Sequence, residues 1–329
     1  MIEIRTGDCL DHLRMMPAQS AHTCVTSPPY FGLRDYDVDG QIGLEESPYA
    51  FVGKLVEVFR EVRRVLREDG TLWLNLGDSY AGSWGAEGRR ETESVEESWQ
   101  GSRIVNHPRR ARKCPEGLKP KDRMMIPARV ALALQADGWW LRDEIVWHKP
   151  NPMPCSVSDR TTPAHEMIYL LSKSRRYFFD GEAIKEPATG RASGNRSGYT
   201  VPGQRGGVNA NIGGSLHRIG PREMRNRRSV WSVSLKPYSG AHFATFPPDL
   251  IEPCILAGSP VGGTVLDPFG GAGTTALVAL RNVRNAVLCE LNPDYAAMAQ
   301  DRVEAEMHRL EAARRERERQ PDFFREATA

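Results

Sequence analysis

A glycine-rich turn between a short strand and a helix is the feature that most restricts the fold of this chain. The turn reads Asp267-Pro-Phe-Gly-Gly-Ala-Gly-Thr-Thr275, with an apolar run at 264–266 before it and a predicted helix after it. Because glycine has no side chain, such a turn lets the backbone approach a bound ligand closely. It lacks the Gly-Lys-Ser/Thr ending of a P-loop. The chain is therefore predicted to be an α/β protein with a ligand site at this strand end.

The rest of the sequence alternates between strand-like and helix-like segments. Ser47-Pro48 is typical of a helix start, and apolar residues follow at helical spacing as far as Leu66. Such alternation predicts a mostly parallel sheet with helices on both faces, and sites at the carboxyl ends of its strands. Further strands are predicted at 71–76, 141–148, 167–172 and 286–291, with a helix at 126–136.

Composition narrows the class of protein. The chain has 329 residues, with 44 Lys+Arg against 42 Asp+Glu. No apolar run approaches the ~20 residues that a membrane span needs, and the N-terminus does not resemble a secretory signal. The six cysteines are scattered without a Cys-x-x-Cys pair, so we expect neither a metal site nor a disulfide framework. We expect a cytoplasmic, intracellular protein with no membrane association.

A second motif, Thr26-Ser-Pro-Pro-Tyr30, ends a β-rich segment near the N-terminus. Proline has no N–H group, so the carbonyl groups of this motif can only accept hydrogen bonds. A proline-rich turn with a packed tyrosine is common by itself. Here the motif occurs together with the glycine turn, and Gly7-Asp8 ends the strand before it.

Two carboxylates indicate which kind of ligand the glycine turn binds. Glu290 ends the strand that follows the turn, where an acid can accept hydrogen bonds from both ribose hydroxyls of a nucleoside cofactor. The glycine turn, taken by itself, is also compatible with a nicotinamide-binding Rossmann fold. However, we expect the Asp267 carboxylate to face the ligand, where it repels a pyrophosphate and suits a cationic cofactor.

The two motifs together resemble the β group of the amino DNA methyltransferases, which act on adenine N6 or cytosine N4. That family combines Asp/Asn/Ser-Pro-Pro-aromatic with a Phe-x-Gly-x-Gly loop, and the likeness covers residues 1–80, 124–180 and 240–300. It implies an α/β, Rossmann-like, S-adenosylmethionine-dependent fold. It also implies a circularly permuted sheet of seven mostly parallel strands with one antiparallel strand. The implied substrate is double-stranded DNA, and relatives of this group are often homodimers of bacterial or phage origin.

The resemblance also implies roles for individual residues. For the Phe243–Pro248 segment, a cofactor contact and a packing role are equally compatible with the sequence. For Trp147, a place near the target base and a packing role are equally compatible with it. The implied catalytic residues are Ser27, Pro28, Pro29 and Tyr30. The implied cofactor-binding residues are Asp8, Phe243, Thr245, Asp267, Phe269, Gly271, Gly273, Thr274 and Glu290. The implied DNA-binding residues are Trp147, Lys149, Arg222, Arg225, Arg227 and Arg228.

The domain prediction follows from breaks in the pattern. Residues 1–180 form the catalytic half, with a mobile insertion at 81–123. Residues 181–240 form an inserted target-recognition region, in which 181–228 holds nine Lys/Arg against three Glu, a local charge of +6. Residues 241–300 form the cofactor half, and 301–329 form a charged C-terminal helix and tail.

Three questions stay open at the level of sequence. A methyltransferase acting on RNA or on protein glutamine is one alternative, although those relatives usually begin the motif with Asn and place the glycine loop first. A non-catalytic DNA-binding module is another, although it would be expected to have lost Ser27, Tyr30 or the glycines. Ser27 slightly favours cytosine N4 over adenine N6 as the target, because serine is commoner there in the family's cytosine enzymes.

Overall fold

The fold is described from a computed structural model, which covers residues 1–33, 35, 36, 38–82, 114, 117–188, 223–235 and 246–319. Its helices are α1 (Cys9–Met15), α2 (Pro48–Val65), α3 (Ile126–Ala136), α4 (Pro248–Gly258), α5 (Thr274–Arg281) and α6 (Pro293–Arg319). Its strands are β1 (Ile2–Thr6), β2 (Ala21–Thr26), β3 (Leu66–Leu76), β4 (Trp140–His148), β5 (His165–Ser172), β6 (Glu186–Pro187), β7 (Met224–Arg225), β8 (Val230–Ser232), β9 (Thr264–Asp267) and β10 (Asn285–Glu290).

Eight of these strands form one sheet, in the order β1-β10-β9-β2-β3-β5-β4-β8. β5 runs antiparallel to both of its neighbours, and the other pairs are parallel. Seven of these strands form the predicted sheet with one antiparallel member. The eighth, β8, was not predicted: it is a short strand from the predicted insertion and pairs with β4 at the edge of the sheet.

The start of the chain lies beside its distant cofactor half. β1 pairs in parallel with β10, so that Thr6 is level with Glu290. This adjacency is the one that a circularly permuted chain requires. It brings Gly7 and Asp8 to the same sheet edge as the glycine turn, although about 260 residues separate them along the chain.

Helices cover both faces of the sheet. One core cluster packs α1, α2 and α3 through residues such as Leu13, Phe59 and Leu134, and a second packs α4 and α5 through Ile255 and Leu277. α2 begins as predicted, because the Ser47 hydroxyl accepts a hydrogen bond from the Ala50 N–H at 3.1 Å.

The ends of two elements differ from the sequence-based expectation. α2 ends at Val65, where the chain passes directly into β3 rather than continuing toward Gly70. The charged C-terminal helix is continuous with α6 from Pro293 and does not begin at residue 301. Its contact with the core extends to Glu306, which is 7 % exposed and pairs with Arg281 of α5.

Within the described ranges, no helix is long and apolar enough to span a membrane. Those same residues contain no cluster of side chains suited to hold a metal ion.

Candidate active site

The carboxyl ends of β2 and β9 are joined by a buried carboxylate. The Thr26 hydroxyl donates to Asp267 Oδ1 at 2.6 Å, and the Thr275 hydroxyl donates to Oδ2 at 2.6 Å. The Phe269 N–H donates to Oδ1 as well, at 3.1 Å. Asp267 is only 1 % exposed, and these three donors satisfy the hydrogen-bonding capacity of its carboxylate inside the protein. The prediction that it faces the ligand is wrong, and Asp267 instead ties the glycine turn to the Pro-Pro motif.

The glycine turn is held against Glu290 by its own backbone. The N–H of Gly271 donates to Glu290 Oε2 at 2.7 Å, and the N–H of Asn292 donates to Oε1 at 2.9 Å. Each carboxylate oxygen keeps a further lone pair for a ligand hydroxyl. Burial raises the pKa of the Glu290 carboxyl above its ordinary value, although these two N–H groups partly oppose the shift.

Two glycines of the turn have different structural duties. Gly271 lines the cavity, and its φ of +49° lies in the left-handed region. Gly273 has a φ of +77° and packs under α6, where an added Cβ would lie 2.9 Å from the Cβ of Ala299. Gly273 is not among the residues that line the cavity. The structure therefore gives Gly273 a packing role, and its implied cofactor contact stays a prediction.

Asp8 lies beside Glu290 at the end of β1. Its carboxylate caps α1 by accepting from the Leu10 N–H at 2.8 Å, and the Gly7 N–H donates to the Glu290 carbonyl at 2.8 Å. Both acids line the same cavity. Two hydrogen-bond acceptors therefore converge where a nucleoside would lie.

The Pro-Pro motif forms the opposite side of this cavity. The Tyr30 hydroxyl donates to Glu166 Oε2 at 2.8 Å and lies 3.3 Å from Asn75 Oδ1. The Tyr30 ring also lies directly against Gly77, where an added Cβ would be 2.4 Å from Cε2. Burial raises the pKa of the Tyr30 phenol well above its ordinary value. The ring is therefore held in one orientation as a neutral hydrogen-bond donor.

Asn75 and Glu166 are functional candidates that the sequence analysis missed. The Asn75 side chain lies 3.4 Å from the Ser27 hydroxyl and donates to the Met167 carbonyl at 3.1 Å. Glu166 receives Tyr30 and forms an ion pair with Lys149. The available signal was an amide or a carboxylate within an otherwise mostly apolar strand, Asn75 in TLWLNL and Glu166 in HEMIYLL.

The cavity has a volume of about 510 Å³, within the usual range for small-molecule sites. It collects residues from both motifs. Those predicted from the sequence are Asp8, Ser27, Pro28, Pro29, Tyr30, Trp147, Lys149, Phe269, Gly271, Thr274 and Glu290. The predicted Phe243, Thr245 and Arg222 lie outside the described residues, although the neighbouring Phe246 does line the cavity.

Of the residues implied for DNA binding, those that the structure describes have protein partners. Trp147 is 2 % exposed and donates from Nε1 to the Val233 carbonyl at 2.8 Å, so its packing role is observed. Lys149 pairs inside the cavity and is only 14 % exposed, so it does not present a free charge to a phosphate.

The basic cluster of the predicted insertion is likewise engaged. Arg225 and Arg228 both donate to Glu186 Oε1, at 2.8 Å and 2.7 Å, and Arg227 lies 4.6 Å over the ring of Trp231. These contacts hold the cluster in place, and its predicted role in DNA binding stays a prediction. Of these side chains Arg228 is 66 % exposed and keeps the most surface for a further contact.

Comparison with known proteins identifies the family. A family model described as DNA methylase, covering N6 and N4 enzymes, matches residues 21–301. The chain belongs to this DNA methylase family. It is 45 % identical over 300 residues to the type II methyltransferase M.Cfr9I of Citrobacter freundii, an alignment that covers 91 % of this chain and 87 % of that protein. It is 46 % identical over 304 residues to the type II methyltransferase M.XycI of Xanthomonas campestris pv. cyanopsidis, with the same coverage.

Solved structures show the same fold. The cytosine-N4-specific PvuII DNA methyltransferase aligns with a TM-score of 0.58 at 19 % identity, covering 90 % of this chain and 84 % of that one. A putative DNA modification methylase of Thermus thermophilus, solved with S-adenosylmethionine, aligns with a TM-score of 0.57 at 24 % identity, covering 93 % and 94 %. The predicted α/β methyltransferase fold is confirmed.

The family makes this chain an S-adenosylmethionine-dependent DNA methyltransferase. The DNA interpretation is thereby favoured over the RNA, protein-glutamine and non-catalytic alternatives. The cavity fits the cofactor chemically, because the glycine turn leaves space beside β10 and two acids, Asp8 and Glu290, line that end. These acids suit both ribose hydroxyls and a cation.

Proposed function

We propose that this methyltransferase acts on the exocyclic amine of a base flipped out of double-stranded DNA, with cytosine N4 as the preferred target. The observation that carries the proposal is that Ser27 and Tyr30 line the same cavity as the glycine turn and Glu290. A base inside a duplex cannot reach such a cavity, so the target base must leave the stack.

The Pro-Pro motif supplies acceptors for the amine. The lone pair of an exocyclic amine is conjugated into the base and is a poor nucleophile. The Ser27 hydroxyl and the Pro28 carbonyl accept the two amine hydrogens and thereby localise the lone pair. Tyr30, fixed by Glu166 and by Gly77, offers a ring face against which the base stacks.

A different set of residues binds the cofactor at the other end of the cavity. When bound, S-adenosylmethionine would supply an electrophilic methyl group. The S–CH₃ bond breaks as the N–CH₃ bond forms, the positive charge passes from sulfur to the amine, and the methylated amine then releases a proton to solvent. Glu290 and Asp8 accept hydrogen bonds from the nucleoside, and Phe269 offers an aromatic face to the cation. Because no strong base is needed before attack, positioning and fixed dipoles provide most of the catalysis.

C5 methylation of cytosine is a different chemistry that needs a cysteine nucleophile in a Pro-Cys pair. The chain contains Pro154-Cys155 and Pro253-Cys254. Cys254 is 1 % exposed within α4, and burial raises the pKa of its thiol well above the ordinary value. Neither cysteine lines the cavity, which supports amine methylation instead.

The experiment is methylation of genomic DNA by the protein with S-adenosylmethionine, followed by mass spectrometry of the nucleosides. N4-methylcytosine is expected. N6-methyladenine would overturn the choice of base alone, and C5-methylcytosine would overturn the mechanism. Long-read sequencing of the same DNA identifies the recognition sequence, and a duplex compared with its single strands tests the double-stranded substrate.

We further propose a homodimer that serves a restriction–modification system. The domain assignment is part of the same proposal: residues 1–180 catalytic, 181–240 target recognition, 241–300 cofactor binding and 301–329 a charged tail. Light scattering of the purified protein checks the dimer. Deletion of 189–222 is expected to abolish site-specific DNA binding and to leave calorimetric cofactor binding intact.

A further inference from the structure

A lysine–glutamate pair borders the cavity on the side of the Pro-Pro motif. Lys149 follows β4 and Glu166 lies in β5, and the Lys149 N–H bonds to the Ala164 carbonyl at 2.8 Å. The Lys149 ammonium bonds to Glu166 Oε1, and the side chains are only 14 % and 17 % exposed. Removing two charged groups from water is costly, so a pair in this position calls for a compensating role.

The surroundings of Lys149 hold its ammonium in place but do not use all of its donors. One face of the ammonium lies 4.3 Å from the centre of the Trp147 ring, and Trp147 is itself fixed through Val233. Within the described part of the chain, Glu166 is the one hydrogen-bond acceptor found for the Lys149 ammonium. An ammonium has three N–H donors, and Lys149 lines the cavity. A donor therefore remains for whatever enters.

We propose that Lys149 donates a hydrogen bond to the ring nitrogen next to the exocyclic amine of the flipped base. This inference rests on the proposed function and adds a specificity-determining residue to it. In cytosine and adenine that nitrogen, N3 or N1, is a bare acceptor. In thymine and guanine the corresponding nitrogen carries a hydrogen, which an ammonium cannot accept.

The site thus presents two complementary groups to the Watson–Crick edge. Ser27 and the Pro28 carbonyl accept hydrogens from the amine, and Lys149 donates to its neighbour. Glu166 balances the charge of the ammonium, so that this side of the cavity does not repel a sulfonium. Glu166 also receives the Tyr30 hydroxyl, which links the base-stacking ring and the base-reading ammonium through one carboxylate.

A simpler alternative is that Lys149 merely holds Glu166, and hence Tyr30, in position. The two roles differ in one measurable respect. A structural lysine affects every substrate equally, whereas a base-reading lysine matters only when the base has the ring nitrogen.

The test crosses a change in the protein with a change in the DNA. Single-turnover methylation is measured on the recognised duplex and on a duplex whose target base has CH in place of the ring nitrogen. That base is 3-deazacytosine for a cytosine target or 1-deazaadenine for an adenine target. The enzymes are the parent, Lys149→Met and Lys149→Arg, each checked for folding by thermal unfolding and for calorimetric cofactor binding.

On the deaza duplex, the single-turnover rate of the parent is expected to fall by about tenfold or more beyond any fall shown by Lys149→Met. This factor corresponds to the loss of one hydrogen bond to a charged group. Lys149→Arg, which keeps donors and charge, should retain part of the discrimination. Equal losses for the parent and Lys149→Met overturn the proposal. If Lys149→Met does not fold, equal affinity of the parent for the two duplexes overturns it. No methylation of the recognised duplex by the parent overturns the proposed function itself, which is a separate outcome.

Discussion

The Thr26 hydroxyl donates a 2.6 Å hydrogen bond to the Asp267 carboxylate across 241 positions of sequence. Thr26 immediately precedes Ser27, and Asp267 begins the glycine turn. One buried bond therefore sets the distance between the residues that hold the target amine and those that hold the cofactor. Burial raises the pKa of Asp267, and the hydroxyls of Thr26 and Thr275 oppose that shift by stabilising the carboxylate.

Replacing Thr26 with valine keeps the shape of the side chain and removes this donor. Thr26→Val is expected to lower the free energy of unfolding by about 1.5–3 kcal/mol, because a buried carboxylate loses a hydrogen bond. Urea denaturation measures the change. Thr26→Ser retains the hydroxyl and is the matched control, and a serine variant as unstable as the valine variant would contradict this account.

Gly77→Ala is expected to lower the single-turnover methylation rate by tenfold or more, since its Cβ would meet the Tyr30 ring at 2.4 Å. The ring is confined by its bond to Glu166 and has little room to move. Gly53→Ala is the control, because an added Cβ in α2 at that position meets no atom within 4 Å. The Gly53 variant should be at least as stable as the parent. An active Gly77→Ala enzyme would show that the position of the ring is unimportant.

Ser27→Ala is expected to reduce the single-turnover rate by about 10²–10³-fold, the usual effect of removing one donor or acceptor to a reacting group. DNA affinity and calorimetric cofactor affinity should change little, because the amine is the one group of the DNA or cofactor that the hydroxyl is expected to contact. Ser20→Ala, which removes an exposed hydroxyl bonded to the Pro17 carbonyl, is the control. An unchanged rate would remove Ser27 from the mechanism.

Cofactor affinity is expected to fall on acidification. Glu290 accepts hydroxyl hydrogens as a carboxylate, and its pKa is raised above 4.5 by burial. As the pH falls through that raised pKa the group takes up a proton, and affinity should weaken by about tenfold per pH unit below it. Calorimetry between pH 8 and pH 4.5 measures this, with thermal scans to confirm folding. Glu290→Gln should bind more weakly at pH 7 and lose this part of the pH dependence, and a parent-like pH profile in that variant would refute the assignment.

Arg228→Gln is expected to weaken DNA binding and to reduce the slope of log affinity against log salt by about one, as for the loss of one phosphate contact. Arg228 keeps most of its surface despite its pair with Glu186. Arg175→Gln is the control. Arg175 follows the carboxyl end of the antiparallel strand β5, which lies beside the amino end of β3, whereas the cavity lies at the carboxyl ends of the parallel strands. Identical slopes for the Arg228 variant and the parent would exclude Arg228 from the DNA interface.

Much of the framework follows from local chemistry that the sequence displays directly. Glycine-rich and proline-rich segments indicate the two turns, because glycine adopts a positive φ, as Gly271 and Gly273 do, and proline has no N–H group. Helical or alternating apolar spacing indicates the helices and strands between them. Given the two motifs, the family resemblance then supplied the permuted strand order that the sheet has.

Tertiary structure alone decided which way the side chains point and with whom they pair. Asn75, Lys149 and Glu166 meet only because β3, β5 and β4 are neighbours in the sheet, although Asn75 and Glu166 are 91 positions apart. The Asp267 carboxylate turned inward because two threonine hydroxyls reach it there. A short motif specifies its own backbone, but the partner of a buried charge comes from distant strands, and the cost of leaving that charge unpaired selects the arrangement.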